Sequence, residues 1–473
     1  MAQARLLADL RACVGPEHVL TGDDAVPYLT DWRKTVTGRA VAVVRPANRD
    51  EVAQVVRLCA AAGAPVVPQG GNTGQVAAAT PDASASAVVL SLLRLNRVRA
   101  IDPDNDTVTV EAGCVLQTVQ EAAREAGRLF PLSLGAEGSC TIGGNLATNA
   151  GGTQVLRYGN ARELALGLEV VTPEGEIWDG LRGLRKDNTG YDLRDLYIGS
   201  EGTLGVITAA VLKLFPLPRA QRTALIATPG LSQALLLLQR ARAGFGAELT
   251  AFEVMATPCL RDVTRAFAQQ RLPFTEIDDD MWCVLLEVSD NEGEQHAQDR
   301  LEVVLSGALE AGEVSDVVVS VSESQSAAFW HLRESITLAL AQADVCVKHD
   351  ISLPASKIPD FVRETDRALA TAFPGVRMRV FGHLGDGNLH YNLLPPRGAS
   401  KADIQRLVHD RVHAAGGSIS AEQGIGQHRV EDLERYKSDV ELALMRRIKT
   451  ALDPRGVMNP GKVLPMESKG DCP

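Results

Sequence analysis

The sequence predicts an α+β protein of two or three domains. Its 473 residues are about three times the usual length of one domain. Residues 40–220 show short strand patterns separated by helices and glycine-rich loops. From Thr223 onward the pattern changes to a strand, a helix and a strand, twice in succession. These observations predict one glycine-rich domain followed by a separate α+β domain.

In the first domain the strongest element is a helix that begins near residue 50. Asn48 stands at its N-cap position, Glu51 follows three residues later and Gly63 lies beyond its end. Strands are predicted on both sides, at residues 40–45 and 64–68, and the second leads directly into a glycine loop.

The second domain follows Pro216 and Pro218. Helices are predicted at residues 231–243 and 293–309, next to strands at 248–254 and 282–288. This order of elements predicts a ferredoxin-like α+β domain.

Composition and charge exclude several classes of function. The chain has 48 Lys and Arg against 59 Asp and Glu, so a net charge of −11 argues against nucleic acid or an anionic membrane as its main partner. The eight cysteines form no CxxC pair, so their spacing supports neither an iron–sulfur cluster nor a thiolate zinc site. We expect no transmembrane segment, because no stretch approaches the ~18 apolar residues that span a bilayer. The first residues lack the apolar core of a signal peptide, so a cytoplasmic protein is expected.

Three glycine clusters carry the first functional signal. In PQGGNTGQ, Gly70, Gly71 and Gly74 would let successive amides point at one anion; the alternative is a tight surface turn. Residues 133–159 contain seven glycines, and residues 198–208 read IGSEGTLGVIT. A run with so many glycines has too little side-chain area to form a core by itself. It therefore indicates a large planar or phosphorylated ligand that lies against the backbone. The GxGxxG pattern of nicotinamide-binding folds is absent.

Together the clusters resemble the two-subdomain FAD-binding domain of the vanillyl-alcohol-oxidase and p-cresol-methylhydroxylase family, over residues 40–218. No His lies between His18 and His296, which excludes a histidyl–flavin bond from this domain, and a thiol bond through Cys114 or Cys140 is not expected. The resemblance therefore implies non-covalent FAD. The implied contact residues are Pro68, Gln69, Gly70, Gly71, Asn72, Thr73, Gly74, Gln75, Leu134, Gly135, Gly138, Ser139, Thr141, Ile142, Gly143, Gly144, Asn149, Gly151, Glu201, Gly202, Gly205, Val206, Ile207 and Asn459.

A second signal lies in FGHLGDGNLHYN, where His383 and His390 flank a turn between apolar strands. A hairpin here would direct both imidazoles towards one point, although two structural histidines are the alternative. Glu422 lies in another glycine-bracketed segment, SISAEQGIGQHR. Two His and one carboxylate with open positions are typical of a catalytic metal site.

The segments GHLGDGNLH, AEQGIG and ALDPRGVMNPGKVL resemble the metal-dependent D-2-hydroxy-acid dehydrogenases, and most closely their D-2-hydroxyglutarate dehydrogenase branch. The similarity extends from residue 28 to residue 464. It implies a divalent ion, most readily Zn²⁺ with Mn²⁺ or Co²⁺ as alternatives, on His383, His390 and Glu422. It also implies substrate contacts from Arg333, Thr337, Lys348, Asn392 and the segment around Gln423.

Gln423 departs from that family, whose usual segment is Glu-His-Gly with the His touching the substrate. An amide cannot accept a proton at neutral pH. The substrate proton would then go to water or hydroxide at the metal, which we favour, or to His428, which is not at the matching position.

The resulting expectation is a flavoenzyme with an FAD-binding domain at 1–220, a substrate-binding cap with the metal site at 221–425 and a C-terminal helical segment, 426–473, that packs back on the FAD domain. A D-2-hydroxy diacid such as D-2-hydroxyglutarate or D-malate would lose a hydride to flavin N5, and its electrons would pass to an electron-transferring flavoprotein or a quinone. The alternatives are a D-lactate or glycolate dehydrogenase and a non-catalytic electron-relay subunit. A homodimer is implied by the resemblance alone.

Overall fold

The computed structural model describes residues 2–343 and 345–466. The chain divides into two compact units. The first unit comprises Met1–Gly151, Asn160–Pro216 and Glu422–Pro473, and the second comprises Gly152–Gly159 and Leu217–Ala421. Residues 467–473, which end the expected C-terminal segment 426–473, lie outside the described residues.

Helices and strands occur along the whole described chain and alternate between residues 220 and 383. The helices are α1 Ala2–Val14, α2 Arg49–Ala62, α3 Leu116–Glu125, α4 Ile142–Ala147, α5 Val155–Tyr158, α6 Ala161–Leu164, α7 Arg194–Tyr197, α8 Leu231–Phe245, α9 Thr257–Ala266, α10 Glu294–Glu310, α11 Glu323–Ala341, α12 Ile358–Ala372, α13 Lys401–Ala414, α14 Val430–Tyr436 and α15 Asp439–Leu452. The strands are β1 Val19–Leu20, β2 Ala42–Val44, β3 Val66–Gln69, β4 Val88–Ser91, β5 Val98–Asp102, β6 Thr107–Glu111, β7 Arg128–Leu129, β8 Ala165–Val171, β9 Ile177–Gly180, β10 Val206–Lys213, β11 Phe215–Pro216, β12 Ala220–Thr228, β13 Leu249–Ala256, β14 Trp282–Asp290, β15 Asp316–Val319, β16 Asp350–Ser352, β17 Arg377–His383 and β18 Asn388–Leu394.

The first unit is built on two main sheets. In one, with strand order β1-β2-β4-β3, β2, β4 and β3 run parallel and β1 is antiparallel. The other is antiparallel, with order β5-β6-β10-β8-β9. Two sheets in one unit agree with the two-subdomain domain that the sequence predicts.

The helix predicted near residue 50 is α2, and its ends form as the sequence indicates. The Asn48 side chain accepts a hydrogen bond from the Glu51 N–H at 2.9 Å, which satisfies one of the free amides of the first turn. Gly63 ends the helix at φ 65°, a left-handed conformation that glycine adopts at low cost.

The C-terminal segment adds backbone pairing to the first unit. The Val66 N–H donates to the Val457 carbonyl at 2.8 Å, and the Asn459 N–H donates to the Val66 carbonyl at 2.8 Å. Met458 thereby forms a parallel bridge with Val66, at the start of β3. Residues 457–459 therefore extend the edge of the sheet that carries the first glycine loop.

The second unit holds one antiparallel sheet with order β15-β12-β14-β13-β17-β18-β16 among the described strands. Its first four strands in the chain, β12 to β15, are arranged as β15-β12-β14-β13, the ferredoxin-like order. The α+β fold class predicted from the sequence is confirmed, and β17, β18 and β16 widen the ferredoxin-like sheet.

One hydrophobic core of the second unit lies between this sheet and helices α9 and α11. Buried side chains of three strands, Leu225, Met255 and Leu285, belong to one cluster with Leu260 of α9 and Ile336 of α11. This packing fixes one long face of α11, so polar residues on the same face are held against the sheet.

Candidate active site

In the first unit, two predicted cofactor loops lie backbone to backbone. A Cβ atom on Gly71 would be 1.9 Å from the Ser139 carbonyl oxygen, and one on Gly70 would be 2.2 Å from Thr141 Oγ1. Glycine is therefore required at both positions by close approach. Gln69, at the end of β3, supports the loop by donating from Nε2 to the carbonyls of Tyr28 and Ala79 at 2.9 and 2.8 Å.

The same loops leave open space on another side. A Cβ on Gly74 or Gly135 would meet no atom within 4 Å. Among the described residues, Thr141 Oγ1 and Asn459 Oδ1 are buried and have no hydrogen-bond partner. Buried polar atoms normally have a partner. Open glycines and unsatisfied polar atoms in the same unit fit a bound ligand with polar groups.

Glu201 joins two distant segments of the first unit. Its backbone has φ 52°, and its buried carboxylate accepts hydrogen bonds from the N–H groups of Ile425 and Gly426 at 2.7 and 2.8 Å. Burial raises the pKa of this carboxyl, against the effect of the two amide bonds. Asn459 Nδ2 donates to the Glu201 carbonyl at 2.8 Å and to the Ala78 carbonyl at 3.0 Å. Residues 78, 201, 425–426 and 459 are thus held together.

The other predicted cofactor residues occur in the same segments. Asn72, at φ 53°, donates from Nδ2 to the Thr30 carbonyl at 2.8 Å. Asn149, at φ 50°, accepts from the Arg162 N–H at 3.0 Å. Ile142, Gly143 and Gly144 form the first turn of α4, and Val206 and Ile207 begin β10.

In the second unit, β17 and β18 form the hairpin that the sequence predicts. Their register pairs His390 with Phe381 and His383 with Asn388, and the two imidazole centroids lie 5.5 Å apart. Burial and the neighbouring His383 lower the pKa of His390 to about 3. His390 is therefore neutral near pH 7, the form in which an imidazole binds a metal ion.

Glu253, on β13, is a site residue that the sequence reasoning missed. Its Oε1 lies 2.6 Å from His383 Nδ1, and its Oε2 accepts from Arg333 Nε at 2.7 Å. Burial raises its pKa, but the charges and hydrogen bonds of His383 and Arg333 outweigh burial and lower the pKa to about 2. The available signal was one acidic residue in an otherwise apolar strand, LTAFEVMA.

Arg333 lies on the core-facing side of α11 and is only 7% exposed. Its guanidinium carbon lies 5.0 Å from the centroid of the Phe381 ring. Nη2 is 2.7 Å from Glu253 Oε2 as an ion pair, yet it makes no hydrogen bond to any described residue. A buried guanidinium with an unsatisfied nitrogen can receive a carboxylate.

The other predicted substrate residues differ in exposure. Asn392, on β18, is 4% exposed. Lys348, two residues before β16, is half-buried, and Thr337, one turn after Arg333 on α11, is exposed.

Glu422 is the first residue of the C-terminal segment of the first unit, and Ala421 before it is the last residue of the second unit. His383 and His390, both in the second unit, are the two imidazoles of the metal-ligand set that the sequence predicts, and Glu422 is its carboxylate. The donor set, two imidazoles and a carboxylate, suits Zn²⁺ with a position left open.

Gln423, which cannot accept a proton, and His428, the alternative proton acceptor, have different surroundings. Gln423 Oε1 accepts from Arg429 Nη2 at 3.3 Å. His428 Nε2 lies 3.2 Å from Thr35 Oγ1, and burial lowers the pKa of this His.

Comparison with known families gives two matches. Residues 217–463 match the family described as FAD linked oxidases, C-terminal domain, and residues 40–180 match the FAD binding domain. The chain belongs to the FAD-linked oxidase family and is a flavin oxidoreductase. The resemblance proposed from the sequence is confirmed.

Named relatives cover nearly the whole chain. The mitochondrial D-2-hydroxyglutarate dehydrogenase of Bos taurus is 38% identical over 96% of this chain and 82% of its own length. The D-2-hydroxyglutarate dehydrogenase of Xanthomonas citri pathovar viticola is 41% identical over 93% and 92%, respectively. That of Stutzerimonas stutzeri is 34% identical over 98% and 99%.

Solved structures show the same fold at low identity. A substrate-bound p-cresol methylhydroxylase has a TM-score of 0.75 at 15% identity and covers 98% of this chain and 97% of its own. The 4-ethylphenol oxidase of Gulosibacter chungangensis has a TM-score of 0.75 at 18% identity and covers 99% of this chain and 98% of its own. Among the described residues, no helix has the length and apolar character to cross a membrane.

Proposed function

We propose that this flavoenzyme oxidises D-2-hydroxyglutarate, or a related D-2-hydroxy diacid such as D-malate, to the 2-oxo acid. The observation that carries the proposal is the buried Arg333, with an unsatisfied nitrogen, joined through Glu253 to the His383 and His390 pair. The site thus offers a carboxylate receptor beside a metal-ligand set. The names of the relatives support the choice of substrate.

The first unit would hold FAD through residues 68–75, 134–151 and 201–207 and Asn459. Bound FAD supplies a hydride acceptor at N5. The unsatisfied Thr141 Oγ1 and Asn459 Oδ1 and the open Gly74 support this assignment. We propose non-covalent binding, because burial raises the pKa of both Cys114 and Cys140 to about 11, which keeps these thiols protonated and unreactive.

His383, His390 and Glu422 would hold the divalent ion, most readily Zn²⁺. When bound, such an ion supplies Lewis-acid stabilisation of an oxygen that loses its proton. The low pKa of His390 supports this role, since a neutral imidazole does not have to release a proton before it binds the ion.

Arg333 would bind one substrate carboxylate through Nη2, which is ion-paired with Glu253 but makes no hydrogen bond to a described residue. Lys348 would meet the second carboxylate as a point charge. Thr337 and Asn392 would complete the substrate contacts. A monoacid such as lactate or glycolate leaves one cation without a carboxylate, which favours a diacid. Gln423 would hydrogen-bond the substrate but cannot accept its proton.

The remaining assignments are proposals of the same kind. We propose functional domains at 1–220, 221–425 and 426–473, a cytoplasmic location, a homodimer, and an electron-transferring flavoprotein or quinone as acceptor. Several relatives are named as mitochondrial, so the compartment of this chain needs its own localisation experiment.

Anaerobic addition of D-2-hydroxyglutarate to the purified holoenzyme tests the function. Rapid bleaching of the flavin absorbance is expected, with D-lactate and glycolate slower by a factor of ten or more. Faster bleaching by a monoacid would replace the diacid assignment. No bleaching by any of the three would favour an electron-relay subunit.

A further inference from the structure

We propose that Glu253 is a positioning residue, which holds His383 in the tautomer that binds the metal and holds Arg333 in place for the substrate carboxylate. The inference rests on the proposed function, because it assigns a role to Glu253 at that site.

Strand register places Glu253 beside His383. On the neighbouring strands β13 and β17, Val254 pairs with Gly382 and Met255 with Phe381. In an antiparallel pair the next residues outward are Glu253 and His383, so their side chains extend from the same face of the sheet. Glu253 is 1% exposed, which leaves it no access to bulk water.

Each carboxylate oxygen of Glu253 has its own partner. Oε1 lies 2.6 Å from His383 Nδ1, and Oε2 accepts from Arg333 Nε at 2.7 Å. An ionised carboxylate only accepts hydrogen bonds, so Nδ1 must carry the His383 proton. Nε2 then keeps its lone pair for a metal ion, and the adjacent negative charge makes the imidazole a stronger ligand.

The same carboxylate explains how Arg333 can remain buried. It neutralises the guanidinium charge and fixes its orientation over the Phe381 ring. One group therefore sets both the metal ligand and the carboxylate receptor, and its loss should weaken both.

Glu253→Gln tests this role because an amide has only one acceptor oxygen. Whichever way the amide turns, either His383 or Arg333 faces an NH₂ group. The matched control is Glu287→Gln on β14. Glu287 is also a buried carboxylate of this sheet, but it accepts from Trp330 Nε1 at 2.8 Å and from Thr223 Oγ1 at 3.3 Å.

Zinc affinity of the FAD-loaded proteins is measured by competition with a chromophoric chelator. Removing such an outer partner typically weakens metal binding by about 10–100-fold, so we expect this loss in Glu253→Gln and less than a twofold change in Glu287→Gln. FAD content and the unfolding midpoint of the metal-free proteins are recorded in parallel, which separates lost positioning from general damage.

Equal zinc affinity in wild type and Glu253→Gln would overturn the inference and leave the proposed function intact. A wild-type enzyme that binds no zinc but is bleached by D-2-hydroxyglutarate would overturn the metal site and this inference together. If Glu253→Gln fails to fold, nitrogen-15 spectra of zinc-loaded wild type with labelled histidines show which His383 ring nitrogen carries the proton. The His383 signal is assigned by its absence from the spectrum of His383→Gln. A proton on Nδ1 supports the inference, and a proton on Nε2 overturns it.

Discussion

Gly71→Ala should damage the proposed FAD site, and the structure sets the size of the effect. The new Cβ would lie 1.9 Å from the Ser139 carbonyl oxygen. Carbon–oxygen contacts are ordinarily no closer than about 3.3 Å, so two backbone segments would have to separate by roughly 1.4 Å. Overpacking usually costs about 1–3 kcal/mol, and we expect the upper end or more because neither partner is a flexible side chain.

Gly74→Ala is the matched control for stability in the same loop, since its Cβ would meet no protein atom within 4 Å. Urea unfolding followed by circular dichroism gives the free energy of unfolding, and absorbance gives FAD per chain. We expect Gly71→Ala to lose about 3 kcal/mol and most of its FAD, and Gly74→Ala to change stability by less than about 0.5 kcal/mol. A fully flavinated Gly71→Ala protein with wild-type stability would refute the backbone-contact argument.

Three further results are expected. Burial raises the pKa of Asp366 to about 6 despite its hydrogen bond from the Tyr391 hydroxyl. The folded state therefore holds the Asp366 proton more tightly than the unfolded state does. This contribution to the free energy of unfolding is complete below about pH 4 and is lost as the pH rises through 6. Wild type should lose about 1.4 kcal/mol of unfolding free energy between pH 5 and pH 8 from this group, and Asp366→Asn should not. The same pH dependence of the urea-derived free energy of unfolding in both proteins would contradict this. Chelation, or His390→Ala, should abolish turnover while the FAD absorbance remains, because the glycine loops and the two His belong to different units; loss of FAD with the metal would count against separate sites. His428→Ala should keep most activity, since Thr35 is the contact of this ring; a loss of several orders of magnitude with FAD and metal retained would make His428 the base.

Local signals in the sequence were sufficient for several elements of the fold and for FAD as the cofactor. The N-cap Asn48, the C-cap Gly63 and the hairpin of His383 and His390 each depend on residues close together in the chain, and the structure contains all three. The glycine clusters could also be interpreted from the sequence. A run of glycines indicates that another backbone segment comes close, even when that segment is distant in the chain, as Ser139 does at Gly71.

Interactions across the sheet were not readable. Glu253 meets its partner His383 130 residues later, through a register that no local pattern specifies. Helix α5 was equally hidden, since residues 152–159 belong to the second unit although the chain on both sides belongs to the first. Exposure of Thr337 also depends on how α11 packs, which its helical spacing from Arg333 cannot reveal.

The backbone pairing of residues 457–459 with Val66 has a consequence for biosynthesis. Val66 leaves the ribosome nearly four hundred residues before Met458, its bridge partner, and the whole span Leu217–Ala421 is translated in between. The second unit is continuous over that span and can fold as it emerges, whereas the first unit must wait, with the edge of β3 open, until translation is almost complete. A premature stop after residue 421 would therefore yield a chain with an unpaired β3 edge, exposed to aggregation and to quality-control proteases.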